Sequence, residues 1–169
     1  ETCLEEWEDT GIQVGVIEST CRCEEPSIEI GSTANSFVPI EDGGDAVMVF
    51  GPQGGWHIWG AIKTYNTRDV VKIQFQVRDL VSDTLVVDVS NQVGLAMGDD
   101  CSGTYTGMYG FLDFMHLVDG ELDTPPELLC NHPIRLSMSL TDTGGRTIAK
   151  EVDLFARPDP ADSDTCTAP

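Results

Sequence analysis

The chain has 169 residues, of which 40% are hydrophobic, and its 29 acidic and 9 basic side chains give a net charge of −20. A chain of this length suits one domain with its own core, and no apolar run approaches the roughly 20 residues of a membrane-spanning helix. The acidic balance argues against nucleic acid and anionic membranes as partners, because both require a basic surface.

Apolar and polar residues alternate with a period of two along most of the chain, which is the pattern of half-buried strands. VVKIQFQVRD (70–79) is the clearest case. The glycines of the predicted strand 104–118, Gly107 and Gly110, indicate a bulge or an interruption. Strands are predicted, in chain order, at 12–18, 27–31, 46–50, 57–66, 70–79, 84–90 and 104–118.

A β-hairpin is predicted at 134–155. Its first strand lies in PIRLSMSLTD, the turn is TDTGGRT, and IAKEVDLF (148–155) returns. With the strands above, the fold class is all-β: an antiparallel, immunoglobulin-like β-sandwich of about eight or nine strands. Residues 1–157 form the single domain, and 158–169 are a polar tail tied by Cys166.

Cysteine usage indicates export. The six cysteines form an even set, which suits a disulfide framework in an oxidising compartment. Zinc is the competing interpretation, but Cys21 and Cys23 lack the paired Cys-x-x-Cys spacing of zinc modules. Cys130 is expected to bond Cys101. The predicted disulfide cysteines are Cys3, Cys21, Cys23, Cys101, Cys130 and Cys166.

The expected location is extracellular, periplasmic or at the cell surface. The first residues, ETCLEEWEDTG, lack the basic and apolar regions of a signal peptide, so the chain would be the mature form of an exported protein. The absence of an N-x-S/T glycan acceptor agrees with a bacterial source.

The most unusual stretch is GPQGGWHIWG, residues 51–60. Alternation in the following strand places His57 and Trp59 on one face, under a glycine-rich turn. There an aromatic pair could stack on a sugar or a peptide while Gln53 and His57 supply hydrogen bonds. The predicted ligand-binding residues are Gln53, Trp56, His57 and Trp59. In the simpler alternative, the glycines only turn the chain and both tryptophans pack in the core.

The run GPQGGWHIWGAI, with its preceding apolar strand and the closing hairpin, resembles a GPQGGxH motif of uncharacterised bacterial proteins. Those proteins are secreted or lipoprotein-type β-sandwich proteins. The resemblance covers about a dozen residues and implies compartment and fold, without an established activity.

Metal binding is the alternative of a different class. The three histidines, His57, His116 and His132, predict a copper or zinc site built on His57 with one of the others. A blue-copper loop is not matched by the segment from Cys130 to Met138. Calcium is a further candidate through the acidic runs 41–45 and 98–100, although neither has EF-hand spacing.

Enzyme signatures are weak, since the chain has no G-x-S-x-G, no H-E-x-x-H and no phosphate-binding loop. The sequence therefore predicts a secreted acidic binding or surface-interaction module for an unknown protein, glycan or small ligand. A metal protein and a self-associating subunit of an extracellular assembly are the alternatives.

Overall fold

The computed structural model describes residues 24–52, 55–112 and 128–166. Within them the chain is all-β and ends in a short 3-10 helix, Pro160–Cys166. The predicted strand 12–18 and the end of 104–118 lie outside the described residues. The strands are β1 (Ser27–Gly31), β2 (Asp45–Phe50), β3 (Trp56–Tyr65), β4 (Val70–Asp79), β5 (Thr84–Gly94), β6 (Ala96–Met97), β7 (Ser102–Phe111), β8 (Pro133–Asp142) and β9 (Thr147–Pro158).

The strands form two layers. The nine strands belong to one continuous sheet of order β5–β4–β8–β9–β2–β3–β7–β6, with β1 paired to β3 beside this path. The half β5–β4–β8–β9 and the half β2–β3–β7–β6 pack against each other as the two layers. Most pairs are antiparallel, including the predicted hairpin β8–β9. The exception is β2 with β9, which run parallel and join the layers. The predicted all-β, largely antiparallel sandwich is confirmed, with this parallel pair as the difference.

The core lies between the layers, and glycines make room for its largest ring. Phe75 of β4 is fully buried. A Cβ on Gly60 of β3 would lie 3.1 Å from the Phe75 ring, and a Cβ on Gly110 of β7 would lie 2.6 Å from it. The two glycines therefore let β3 and β7 approach β4 closely. The alternating apolar residues of β4 and β8, such as Ile73 and Leu136, fill the rest of this interior.

Buried aspartate carboxylates stabilise two of the hairpin turns. Asp142 accepts a hydrogen bond from the backbone N–H of Arg146 at 3.0 Å and pairs with its guanidinium at 2.9 Å. Asp79 accepts the backbone N–H and the hydroxyl of Ser82. Burial alone would raise the pKa of each carboxyl, but these hydrogen bonds lower both pKa values, with further contributions from Arg146 beside Asp142 and His132 beside Asp79. Both turns thus depend on an ionised aspartate.

A disulfide bond links Cys130 to Cys166 and ties the 3-10 helix to the segment before β8. The expected bond between Cys130 and Cys101 is therefore wrong, although Cys101 is itself disulfide-bonded. Spacing could not choose a partner for Cys130, because the chain brings residues from its end back to this position. Cys3, Cys21 and Cys23 lie outside the described residues. No helix among the described residues is long and apolar enough to cross a membrane.

Candidate binding face

Four aromatic side chains meet on the outer side of β3 and β7. His57 pairs in register with Phe111, and Trp59 pairs with Tyr109. The His57 and Tyr109 rings stack with centroids 4.3 Å apart, and the edge of Trp59 meets His57 at 4.7 Å. Tyr109 and Phe111 are nearly parallel, 6.4 Å apart. We call these four residues the aromatic face.

A bulge in β7 gives the aromatic face its composition. Gly60 pairs with Met108, whereas Ile62 pairs with Tyr105, so β7 carries one extra residue at this point. Gly107 adopts a φ of 74° there, which suits glycine. Tyr105 packs against the core. Without the extra residue Tyr109 would point the same way as Tyr105, so the bulge turns Tyr109 and Phe111 outward.

Fixed backbone segments lie at both ends of the aromatic face. At one end the chain after β1 reaches β3 and β7: the Ser32 hydroxyl donates to the Trp59 carbonyl at 2.9 Å, and the Thr33 carbonyl accepts the Gly107 N–H. At the other end Gly55, with a φ of 79°, lies so close to Phe111 that a Cβ there would be 2.2 Å from the ring. The last glycine of GPQGG therefore serves the packing of this face.

His57 is the unusual member of the aromatic face. Its side chain is only 2% exposed. Neither ring nitrogen has a hydrogen-bond partner in the part of the chain that the structure describes. Burial without an acceptor or an opposite charge lowers the pKa of His57 below its ordinary value. Leaving a buried donor or acceptor unsatisfied costs about 1–3 kcal/mol each, so His57 is a poor choice for stability.

The predicted ligand residues fall in different places. His57 and Trp59 share the outer face, as alternation predicted, and Trp59 is partly exposed. Trp56 is 7% exposed, belongs to the core and meets the Phe50 ring edge-on, because even-numbered residues of β3 point inward. The expectation that Trp56 lines the binding surface is therefore corrected. Gln53 lies outside the described residues.

Tyr109 and Phe111 are members of the aromatic face that the sequence pattern does not predict. Tyr109 is 40% exposed and Phe111 is partly exposed. Their contribution depends on the register between β3 and β7 and on the bulge at Gly107, which separate strand predictions do not supply. The available signal is the pair Gly107 and Gly110 within a long predicted strand, which indicates a bulge or an interruption but does not connect this strand to His57.

The described residues show no group of three or more side chains suited to hold a metal ion. His132 hydrogen-bonds the buried Asp79 at 3.1 Å. His116 lies outside the described residues. The carboxylates of the candidate calcium runs bind protein groups: Asp42 accepts a backbone N–H of β9, Asp45 pairs with Arg157, and Asp100 caps the start of β7. Copper, zinc and calcium remain predictions without a described cluster.

No protein-family model matches the chain, and no curated protein matches it. Among solved structures, the CooA pilin subunit from enterotoxigenic Escherichia coli is similar, with 11% sequence identity and a TM-score of 0.38. The match covers 78% of this chain and 99% of that one.

Proposed function

We propose that the protein is an extracellular binding module whose contact surface is the aromatic face, and that its ligand is a glycan or an extended peptide. The observation that carries the proposal is the grouping of Trp59, Tyr109 and Phe111, all partly exposed, around a buried histidine with unpaired nitrogens. Rings that remain accessible on a rigid sheet present large apolar area at little entropic cost.

Charge supports a ligand held by stacking rather than by ion pairing. The rings that form the aromatic face carry no formal charge at neutral pH, and the nearest charged side chain on that side of β3, Lys63, lies 5.0 Å over the Tyr65 ring. The overall charge of −20 disfavours anionic ligands further. Binding through this face should therefore change little with salt, because screening weakens ionic contacts far more than stacking.

A disulfide-bonded, acidic sandwich suits an exported protein. The bond between Cys130 and Cys166 requires an oxidising compartment to persist, as in the periplasm or outside the cell. The resemblance of GPQGGWHIWGAI to secreted or lipoprotein-type bacterial proteins points to the same location. The ligand would then be a surface or environmental molecule.

The experiment is a glycan array and a peptide array probed with labelled protein, using wild type, Trp59→Ala and Tyr109→Ala. We expect each substitution to weaken binding of any specific ligand at least about tenfold, since aromatic anchors at an interface contribute about 2 kcal/mol or more. Phe50→Ala is the matched control, because Phe50 is 50% exposed but lies beside Trp56, away from the aromatic face.

The proposal is wrong if a specific ligand binds Trp59→Ala and Tyr109→Ala as tightly as it binds Phe50→Ala. Loss of binding counts only if the variant unfolds cooperatively at a denaturant concentration close to that of wild type. Repeating the measurement at high salt separates stacking from ionic attraction.

The second candidate is an assembly subunit, and it has its own observation. β5 spans Thr84–Gly94 and lies at the edge of its layer, with β4 as its sole partner among the described strands. An unprotected edge can add a strand from a neighbour. This candidate predicts concentration-dependent oligomers that a proline at an outward N–H of β5 removes, whereas Trp59→Ala leaves them unchanged.

A further inference from the structure

We propose that His57 makes the aromatic face responsive to pH: in neutral solution the Tyr109 ring closes over a neutral His57, and protonation of His57 in acid displaces that ring. This inference rests on the proposed function, since it concerns regulation of the same face. The two nitrogens of the buried imidazole lack hydrogen-bond partners among the described residues.

Protonation changes what the buried ring requires. A neutral imidazole has one N–H to satisfy, whereas the imidazolium has two N–H donors and a full charge. The rings packed on it are Trp59 and Tyr109, and its register partners are Val49 and Phe111. Stacking on Tyr109 would offer the imidazolium a cation–π attraction, but it leaves both N–H groups without acceptors.

Charged groups on the neighbouring strands do not compensate. On β2 the charged side chain on the same side is Asp45, at the far end of the strand and paired with Arg157 at 3.2 Å. After β9, Asp159 lies beside β2, and its carboxylate accepts the Ala161 N–H at 2.9 Å. On β3 it is Lys63, a like charge, and the Tyr109 phenol is the titratable group of β7 in contact with His57. With no carboxylate among the influences that shift it, burial lowers the pKa of His57. Water is then the acceptor that the imidazolium can gain.

Tyr109 is the ring that can move away from His57. It is 40% exposed, and among the described strands its far side is open, because β6 pairs with β7 only at Gly103 and Thr104. Trp59, in contrast, is only partly exposed. A rotation of the Tyr109 side chain about χ1 would admit water to the imidazolium while the strands stay paired. The same rotation would alter the stacking surface that a ligand meets.

The test is an NMR titration of the histidine ring signals in the absence of any ligand, together with the ring signals of Tyr109. In wild type we expect His57 to titrate at a midpoint below the ordinary value of about 6.5, with the Tyr109 signals moving at the same midpoint. Tyr109→Ala removes the ring stacked on His57, so the midpoint of His57 should rise towards the ordinary value. His57→Phe should abolish the movement of Tyr109 in this pH range.

His132→Asn is the matched control and should leave both midpoints unchanged, because His132 pairs with Asp79. The inference is overturned if the Tyr109 signals do not follow His57, if they still move in His57→Phe, or if Tyr109→Ala leaves the His57 midpoint unchanged. Since no ligand is present, those results would leave the proposed function standing, whereas failure of the array experiment would leave a pH-responsive face without a ligand.

Discussion

Replacing His57 with phenylalanine should make the protein more stable at neutral pH. Phenylalanine has nearly the shape of histidine and can keep the stack on Tyr109 at 4.3 Å and the edge contact with Trp59 at 4.7 Å. It carries no nitrogen that needs a hydrogen bond. A substitution at a 2% exposed position would ordinarily be expected to destabilise.

The magnitude follows from the two unpartnered ring nitrogens. Each unsatisfied buried polar group costs about 1–3 kcal/mol, and removing it recovers that cost. The larger phenyl ring opposes this gain, because overpacking costs about 1–3 kcal/mol. The net expectation is a free energy of unfolding higher by about 1–2 kcal/mol, or a Tm raised by about 2–4 °C per kcal/mol.

The difference should grow in mild acid. Because the pKa of His57 is lowered in the folded state, the unfolded chain binds the proton more readily between that pKa and about 6.5. Wild type therefore loses stability as the pH falls through this range, and His57→Phe does not. The assay is urea unfolding followed by circular dichroism, with disulfides intact, at neutral and mildly acidic pH.

His132→Phe is the matched comparison and should lower the free energy of unfolding, because it removes one of the partners of the buried Asp79. The reasoning is refuted if His57→Phe lowers the free energy of unfolding by more than about 1 kcal/mol while unfolding stays cooperative. That outcome would mean that the unpartnered His57 nitrogens cost the native protein less than the larger phenyl ring does.

Three further substitutions test close packing, a turn and the disulfide in the sheet that carries the aromatic face. Gly110→Ala places a Cβ 2.6 Å from the Phe75 ring and 2.9 Å from the Ile58 carbonyl, so unfolding should require about 1–3 kcal/mol less; no change would contradict the close approach of β7 to β4. Asp142→Asn should cost about 1–3 kcal/mol at neutral pH. The difference in free energy of unfolding between wild type and Asp142→Asn should narrow in acid. Because the pKa of Asp142 is lowered in the folded state, the ionised carboxylate stabilises the protein above about pH 4, and this stabilisation is lost below it. A difference that is constant with pH would contradict a turn that depends on an ionised Asp142. Replacing Cys130 and Cys166 together by serine removes a disulfide between residues 36 positions apart. The free energy of chemical unfolding should fall by roughly 2–4 kcal/mol. A fall of less than about 1 kcal/mol would show that the 3-10 helix stays in place without the disulfide.

Alternation located most of the strands because one side of each strand faces a dry interior. The predicted 27–31 and 70–79 coincide with β1 and β4. The same rule placed His57 beside Trp59 correctly, and applied to Trp56 it would have assigned that residue to the core. The parallel pairing of β2 with β9 was missed, since it joins segments more than 100 residues apart. Local patterns contain no information on such pairing.

The composition of the candidate site depended on long-range register. Tyr109 and Phe111 reach the face only because Gly107 adds a residue to β7 opposite β3. The partner of Cys130 was mispredicted for a related reason, because the return of the chain end to β8 is a property of the fold. Alternation along β3 predicted His57 and Trp59, whereas the positions of Tyr109 and Phe111 follow from the pairing of β7 with β3.

The most direct test of the central claim is a map of backbone amide shifts in ¹⁵N-labelled protein as a bound oligosaccharide or peptide from the arrays is titrated in. We expect the largest shifts at Trp59, Tyr109 and Phe111, and we expect Trp59→Ala to need at least about tenfold more ligand for the same shifts. Largest shifts along β5, or saturation of Trp59→Ala at the wild-type ligand concentration, would contradict the aromatic face as the binding surface.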